Sequence, residues 1–181
     1  RMGADVTLVE NSEHLLSRLD ADAGSLLAER FAQDGIRILL ETRADSVEGV
    51  VDGARLHLSS GEAIGAARLL VATGRKPSVE GLGLELLGVE ITQRGLTVDE
   101  RLSAGDGVWA IGDAAGVGLL THLGKYQARV AAANIAGGSA RADYRAIPAA
   151  VFTDPQVASV GVMDGDGVVT ARYEIAGGRL S

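Results

Sequence analysis

An acidic residue stands at the end of a short apolar run, directly before a glycine-rich turn. Residues 108–111 are apolar and lead into Gly112-Asp113, and Gly116 and Gly118 then let the backbone turn tightly. A carboxylate in this position can accept hydrogen bonds from sugar-type hydroxyls, and the unpaired N–H groups at the start of a following helix attract electron-rich atoms. The pattern predicts a cofactor cradle made of a buried strand, an acid, a turn and a helix.

The helix of this cradle is predicted from the spacing of its apolar residues. They recur at helical intervals up to about Ala136, with Thr121 as a possible N-cap. The positions are Leu123, Tyr126, Val130 and Ala133.

A second motif lies upstream, where residues 72–77 read Ala-Thr-Gly-Arg-Lys-Pro. Together with residues 108–122, it resembles the second flavin-binding segment of the pyridine nucleotide–disulfide oxidoreductases, which include dihydrolipoamide dehydrogenase and mercuric reductase. The resemblance implies an α/β fold: part of a pair of Rossmann-like dinucleotide-binding domains for FAD and NAD with a β-meander, then the start of an α+β dimerisation domain. The expected bounds are 1–74 for the NAD domain, 75–144 for the FAD domain and 145–181 for the dimerisation domain.

The resemblance assigns a flavin role to the cradle. It implies that Gly112-Asp113 bind the ribityl chain of FAD, and that Leu119, Leu120, Thr121 and His122 pass beside the isoalloxazine ring. A helix N-terminus there would stabilise the negative charge of the reduced ring by roughly 0.3–2 kcal/mol. The family's proton-relay histidine lies in a His-Pro motif that does not occur here. We therefore expect His122 to offer its backbone, with a purely structural role left open, and we expect no catalytic residue and no metal site.

Three residues are candidates for binding the nicotinamide cofactor. Glu10 ends a predicted strand over residues 4–10, where an acid can hydrogen-bond the adenosine ribose hydroxyls. Its charge would repel a 2′-phosphate, which favours NAD over NADP. The resemblance adds the backbone of Ala44 beside the adenine and Gly74 where cofactor and chain approach closely. A solvent-facing glutamate and an ordinary turn glycine are the alternatives.

The remaining predicted elements follow from periodicity and turn residues. They are a helix over 16–34 with Asp20 as N-cap, a strand over 36–40, three strands with two tight turns within 44–72 of which the last returns as a buried strand over 68–74, short strands at 89–92 and 96–98, and two strands around Asp154-Pro155. The run 164–167 lacks ligands for calcium, so a hairpin turn is expected there.

Composition restricts the partners. The formal charge of −7 argues against nucleic acid, and no apolar run is long enough to cross a membrane. There is no cysteine, whereas the family uses a cysteine pair. We therefore expect an internal fragment of a cytoplasmic, homodimeric FAD-dependent NAD(P)H oxidoreductase, with the cysteine pair outside this chain.

Two alternatives stay open. One is a flavin-dependent NAD(P)H oxidase or transhydrogenase that lacks the cysteine pair. The other is a non-catalytic, truncated nucleotide-binding module. If the isolated chain has unpaired sheet edges, we expect it to be poorly soluble and not to retain FAD.

Overall fold

The computed structural model describes residues 3–161. The chain begins with a strand–helix–strand unit: β1 (Thr7–Val9), α1 (Ala21–Gln33) and β2 (Arg37–Leu39), in which the two strands pair in parallel. The Asp20 side chain caps α1 by accepting a hydrogen bond from the Asp22 N–H at 2.9 Å, as predicted. The predicted start at residue 16 is wrong, because the capping turn at Asp20 fixes the first helical residue at 21.

The predicted β-meander follows. It consists of β3 (Ala44–Val50), β4 (Gly53–Leu58) and β5 (Ala63–Ala66), paired antiparallel in that order. A two-residue connection, 51–52, joins β3 to β4. After Ala66 the chain is no longer part of this three-stranded sheet.

The predicted buried strand over residues 68–74 is wrong. This segment is not part of any strand, and Leu70 and Val71 are 89% and 69% exposed. A strand needs a neighbour to pair its backbone groups. Within the described part of the chain, β1 and β2 pair only with each other, and residues 68–74 pair with neither of them.

Residues 75–144 hold the packed part of the molecule. Two hairpins, β6 (Ile91–Thr92) with β7 (Gly95–Leu96) and β8 (Ser103–Gly105) with β9 (Val108–Trp109), precede α2 (Thr121–Ile135). One core cluster is formed by Val79, Val89, Leu96, Ala110 and Ala115, and a second by Leu102, Val130 and Ala131. The core therefore holds the strand before Asp113 and the helix after it.

The last described element is an antiparallel hairpin, β10 (Pro148–Val151) with β11 (Val157–Val160), which confirms the two strands predicted around Asp154-Pro155. The predicted turn at 164–167 lies outside the described residues. Among residues 3–161, no helix is both long and apolar enough to cross a membrane.

Candidate functional site

Asp113 lies in a short 3₁₀ turn, Gly112–Ala115, bounded by two left-handed glycines. Gly112 has φ +62° and Gly116 has φ +67°, values that residues with a side chain rarely adopt. A Cβ on Gly116 would lie 2.6 Å from the Arg94 carbonyl oxygen. The turn is thus closed by glycines and pressed against the β6–β7 hairpin, and the Asp113 side chain stays half-exposed.

The start of α2 lies directly against this turn. A Cβ on Gly124 would lie 3.2 Å from the Gly112 Cα, so glycine permits the close approach. Leu120, in extended backbone, is the N-cap residue and no side chain caps the helix. Thr121 is therefore the first helical residue, and its prediction as the N-cap is wrong. The first-turn N–H groups of a 15-residue helix are left without a side-chain partner.

The two motifs behind the family resemblance meet at Asp113. The Arg75 Nη1 lies 3.1 Å from the Asp113 Oδ2, joining residues 38 positions apart. Both side chains are exposed enough for solvent to screen the pair, so its contribution to stability is small. The contact shows instead that Arg75, and with it the neighbouring Gly74, lies beside the turn.

A buried glutamine on α2 completes the arrangement. Gln127 is fully buried, and its Oε1 accepts a hydrogen bond from the Gly112 N–H at 2.6 Å. Sequence reasoning missed both Gln127 and Arg75. Gln127 had a usable signal, because it stands four residues after Leu123 and three before Val130, on the predicted buried face.

The His122 side chain is hydrogen-bonded to a residue outside the Gly112–Ala115 turn. Its Nε2–H donates to the Pro148 carbonyl oxygen at 2.6 Å, at a shallow pocket that Tyr126 and Asp143 also line. Hydrogen bonds from the Arg145 guanidinium and backbone hold the pKa of the Asp143 carboxyl at about 2. This tether is compatible with the prediction that His122 offers only its backbone to a cofactor. Leu119 and Leu120, just before it, are half-buried.

Glu10, predicted to bind the adenosine ribose of NAD, is hydrogen-bonded to the segment that leads to Ala44. Glu10 follows β1, and its carbonyl oxygen accepts from the Thr42 N–H at 3.0 Å, two residues before Ala44. One carboxylate oxygen of Glu10 accepts from the Ser12 N–H at 2.7 Å. Glu10 is half-buried at the carboxyl edge of a parallel strand pair, which is where ligands bind in open α/β sheets.

Gly74 is exposed at φ +129°, and nothing in the described chain lies within 4 Å of a Cβ built on it. Its backbone conformation alone accounts for the glycine. The space around it is open, as a cofactor passing close to the backbone would require, but its role stays a prediction.

The cradle fits a flavin nucleotide. Asp113 presents a half-exposed carboxylate that can accept from hydroxyls, the glycines keep side chains off the turn, and the start of α2 carries uncapped N–H donors. These groups match a polyhydroxyl chain and an electron-rich ring edge. The half-buried carboxylate of Glu10 can likewise accept hydrogen bonds from ribose hydroxyls.

The chain is similar to known proteins in sequence and fold. The model of the family described as pyridine nucleotide-disulphide oxidoreductase matches residues 1–140. Dihydrolipoyl dehydrogenase 3 of Pseudomonas aeruginosa is 35% identical over 99% of this chain and 40% of its own length. An NAD(P)H dehydrogenase (quinone) of Mycobacterium tuberculosis is 33% identical over 89% of this chain and 33% of its own length.

The crystal structure of LpdA from Mycobacterium tuberculosis superimposes with a TM-score of 0.81 at 34% identity, covering 88% of this chain and 36% of that one. The chain thus spans about two fifths or less of the length of these relatives. The expected partial Rossmann-like α/β fold is confirmed, whereas the domain bounds stay predictions. The chain belongs to the pyridine nucleotide-disulphide oxidoreductase family, whose members use FAD and NAD(H).

Proposed function

We propose that residues 1–181 supply parts of the FAD and NAD(H) sites of an oxidoreductase of the disulfide reductase type. The observation that carries the proposal is the Arg75–Asp113 contact at the start of α2. It joins the two motifs of the resemblance at one turn, next to uncapped helix donors. Family membership and the two dehydrogenase relatives support the same reaction class.

The residues of this chain have binding and orienting roles in the proposal. Asp113 accepts hydrogen bonds from the ribityl hydroxyls, and the Gly112 turn keeps side chains away from that tail. The first turn of α2, with Leu119, Leu120, Thr121 and His122 at its entry, directs its N–H groups towards the ring. When bound, FAD supplies the hydride and electron chemistry between nicotinamide and a cysteine pair outside this chain.

The nicotinamide cofactor is assigned to the other end of the chain. Glu10 binds the adenosine ribose, the Ala44 backbone lies beside the adenine, and Gly74 leaves room near the nicotinamide. The Glu10 carboxylate disfavours a 2′-phosphate, so we propose NAD as the preferred cofactor. The proposal also includes a homodimer, with residues 145–181 opening the dimerisation domain. It places the enzyme in the cytoplasm, because electron transfer to a cysteine pair suits a compartment in which thiols are kept reduced.

The test of the flavin site uses Asp113→Ala in the whole oxidoreductase that contains this chain. Loss of a carboxylate acceptor for hydroxyls corresponds to roughly a tenfold to hundredfold loss of FAD affinity, measured by flavin fluorescence. Asp106→Asn is the matched control, because Asp106 is an exposed acid in the β8–β9 turn. Equal FAD affinity in Asp113→Ala and the parent enzyme would refute the flavin assignment.

The nicotinamide site is tested with Glu10→Ala. The ratio of kcat/KM for NADH to that for NADPH should fall by about tenfold, since a charge that repels the 2′-phosphate is removed. Glu13→Ala, at an exposed acid three residues away, is the control. An unchanged ratio in Glu10→Ala would remove Glu10 from the ribose site.

A second candidate function is reduction of a quinone or oxygen without a cysteine pair. The relative named NAD(P)H dehydrogenase (quinone) favours it. Parallel assays of NADH oxidation with lipoamide-type disulfides and with quinones, together with thiol titration of the reduced enzyme, separate the two. Two titratable thiols and disulfide reduction support the leading proposal, whereas quinone turnover without those thiols supports the second.

A further inference from the structure

Gln127 is a polar side chain with no exposed surface, and both ends of its amide are bonded. Its Oε1 accepts from the Gly112 N–H at 2.6 Å, and its Nε2 donates to the Tyr144 Oη at 3.0 Å. The orientation of the amide follows from its partner, since a backbone N–H requires an oxygen acceptor. Burying an amide in this way is costly unless both bonds are made, so the side chain has one favourable arrangement.

That arrangement fixes the backbone immediately before Asp113. Gly112 holds a left-handed conformation, and Gly124 lets α2 approach it to van der Waals distance. The Gly112 N–H therefore points into α2 and is held there by Gln127. Asp113 is the next residue, so the position of its carboxylate depends on this anchor.

Tyr144 extends the anchor to the segment that leads into the β10–β11 hairpin. Its ring packs edge-on against Tyr126, with centroids 6.4 Å apart and planes at 76°. The Tyr126 Oη in turn accepts from the Asp143 N–H at 2.7 Å. The 143–144 backbone is thereby held on the same face of α2 that holds Gly112.

We infer that Gln127 is the positioning residue for Asp113, and that the Tyr144 hydroxyl holds the Gln127 amide in place. The part of this inference that concerns FAD rests on the proposed function. The part that concerns the Gly112 turn does not. Gln127 acts through the backbone of Gly112 and touches no cofactor group itself.

The first experiment measures amide hydrogen exchange of Gly112 at single-residue resolution in the whole, flavin-free enzyme. Gln127→Met keeps the length of the side chain but removes both bonds, and should speed exchange at Gly112 by about tenfold or more. Asn134→Leu is the control. Asn134 is the other buried amide of α2, but it donates to the Arg101 and Ala140 carbonyls and leaves the turn untouched.

Tyr144→Phe is the milder variant, which covers the case in which Gln127→Met fails to fold. It removes only the hydroxyl that accepts from the Gln127 Nε2. Exchange at Gly112 should rise by a few-fold while the amides in the middle of α2 keep their protection. Unchanged Gly112 exchange in Tyr144→Phe, or in a folded Gln127→Met, would overturn the inference.

The second experiment measures FAD affinity and the visible circular dichroism of the bound flavin. Gln127→Met should weaken FAD binding by about tenfold and change the dichroism, whereas Asn134→Leu should change neither even if it lowers Tm equally. If Asp113→Ala weakens FAD binding but Gln127→Met does not, the positioning role is wrong. If neither variant weakens it while Gly112 exchange rises, the flavin proposal fails and the anchor stands.

Discussion

Residues 3–74 and residues 75–144 differ in how they are held together. Both core clusters of the described chain lie between residues 79 and 142. The first region instead buries single leucines in separate segments, Leu15, Leu27 and Leu58, around a two-stranded parallel sheet and a meander. Its longest apolar stretch, 69–72, is exposed.

The difference shows which proposed site is supported by packing in this chain. Parallel strands are ordinarily covered on both faces, and two of them alone are marginal. Glu10 therefore lies at the end of a sheet of only two strands, whereas the Asp113 turn is supported by two core clusters and by α2. We expect the flavin half of the geometry to be the more rigid of the two.

The largest expected effect comes from removing side-chain volume in the packed region. Leu102 has no exposed surface, so Leu102→Ala should lower the free energy of unfolding by about 2–5 kcal/mol through lost contacts and a cavity. Leu70→Ala, at an exposed leucine of the first region, should change it by no more than about 0.5 kcal/mol. Urea unfolding of both variants measures this. Equal losses would mean that the first region has a core of its own.

The second prediction compares two glycines with positive φ, one in each region. Gly116→Ala should destabilise the chain by about 1–3 kcal/mol, because the new Cβ meets the Arg94 carbonyl oxygen as well as the unfavourable φ. Gly74→Ala meets only the unfavourable φ, since open space surrounds it, and should cost less. Thermal unfolding of the two variants gives the order, and a larger loss in Gly74→Ala would contradict the comparison.

The same contrast separates what the sequence predicted from what it did not. The Asp20 cap, the helix over 121–135 and the β3–β4 hairpin depend on residues close in the chain, so periodicity and turn chemistry located them. The Arg75–Asp113 and Gln127–Gly112 contacts join distant residues and needed the tertiary structure.

The error at residues 68–74 has the same origin. Its apolar composition favours a strand, but strand formation also requires a neighbouring strand that pairs with it. Composition cannot show whether that neighbour is present. The family motifs, by contrast, located the Asp113 turn from two short stretches, because the glycines within each motif adopt the local backbone conformation that the turn needs.

The third prediction concerns solubility. The exposed segment 69–71 is apolar, β-branched in part and outside every described sheet, which is a composition that favours aggregation. The double variant Leu70→Lys/Val71→Lys should raise the saturation concentration of the isolated chain several-fold, measured by light scattering after centrifugation. Leu26→Lys is the control, because Leu26 is 63% exposed but lies on α1, where the backbone is already bonded. A gain of equal size in the control would mean that added charge alone solubilises the chain.

The smallest expected effect belongs to an exposed ion pair at the end of the packed region. Arg145 lowers the pKa of Asp143 from its ordinary 3.8 to about 2. A carboxyl with a lowered folded-state pKa stabilises fully above its unfolded pKa, and that contribution is lost as the pH falls through the folded one. Here the window runs from about pH 4 down to about pH 2.

Asp143→Asn removes the pair, so parent and variant should differ slightly in Tm at pH 6, and the difference should shrink to nothing near pH 2. Both side chains are exposed, so solvent and salt screen the interaction and the difference at pH 6 should fall as salt is added. Differential scanning calorimetry of both proteins at each pH measures it. A difference that persists below pH 2 would show that the Asp143 side chain contributes through something other than its charge.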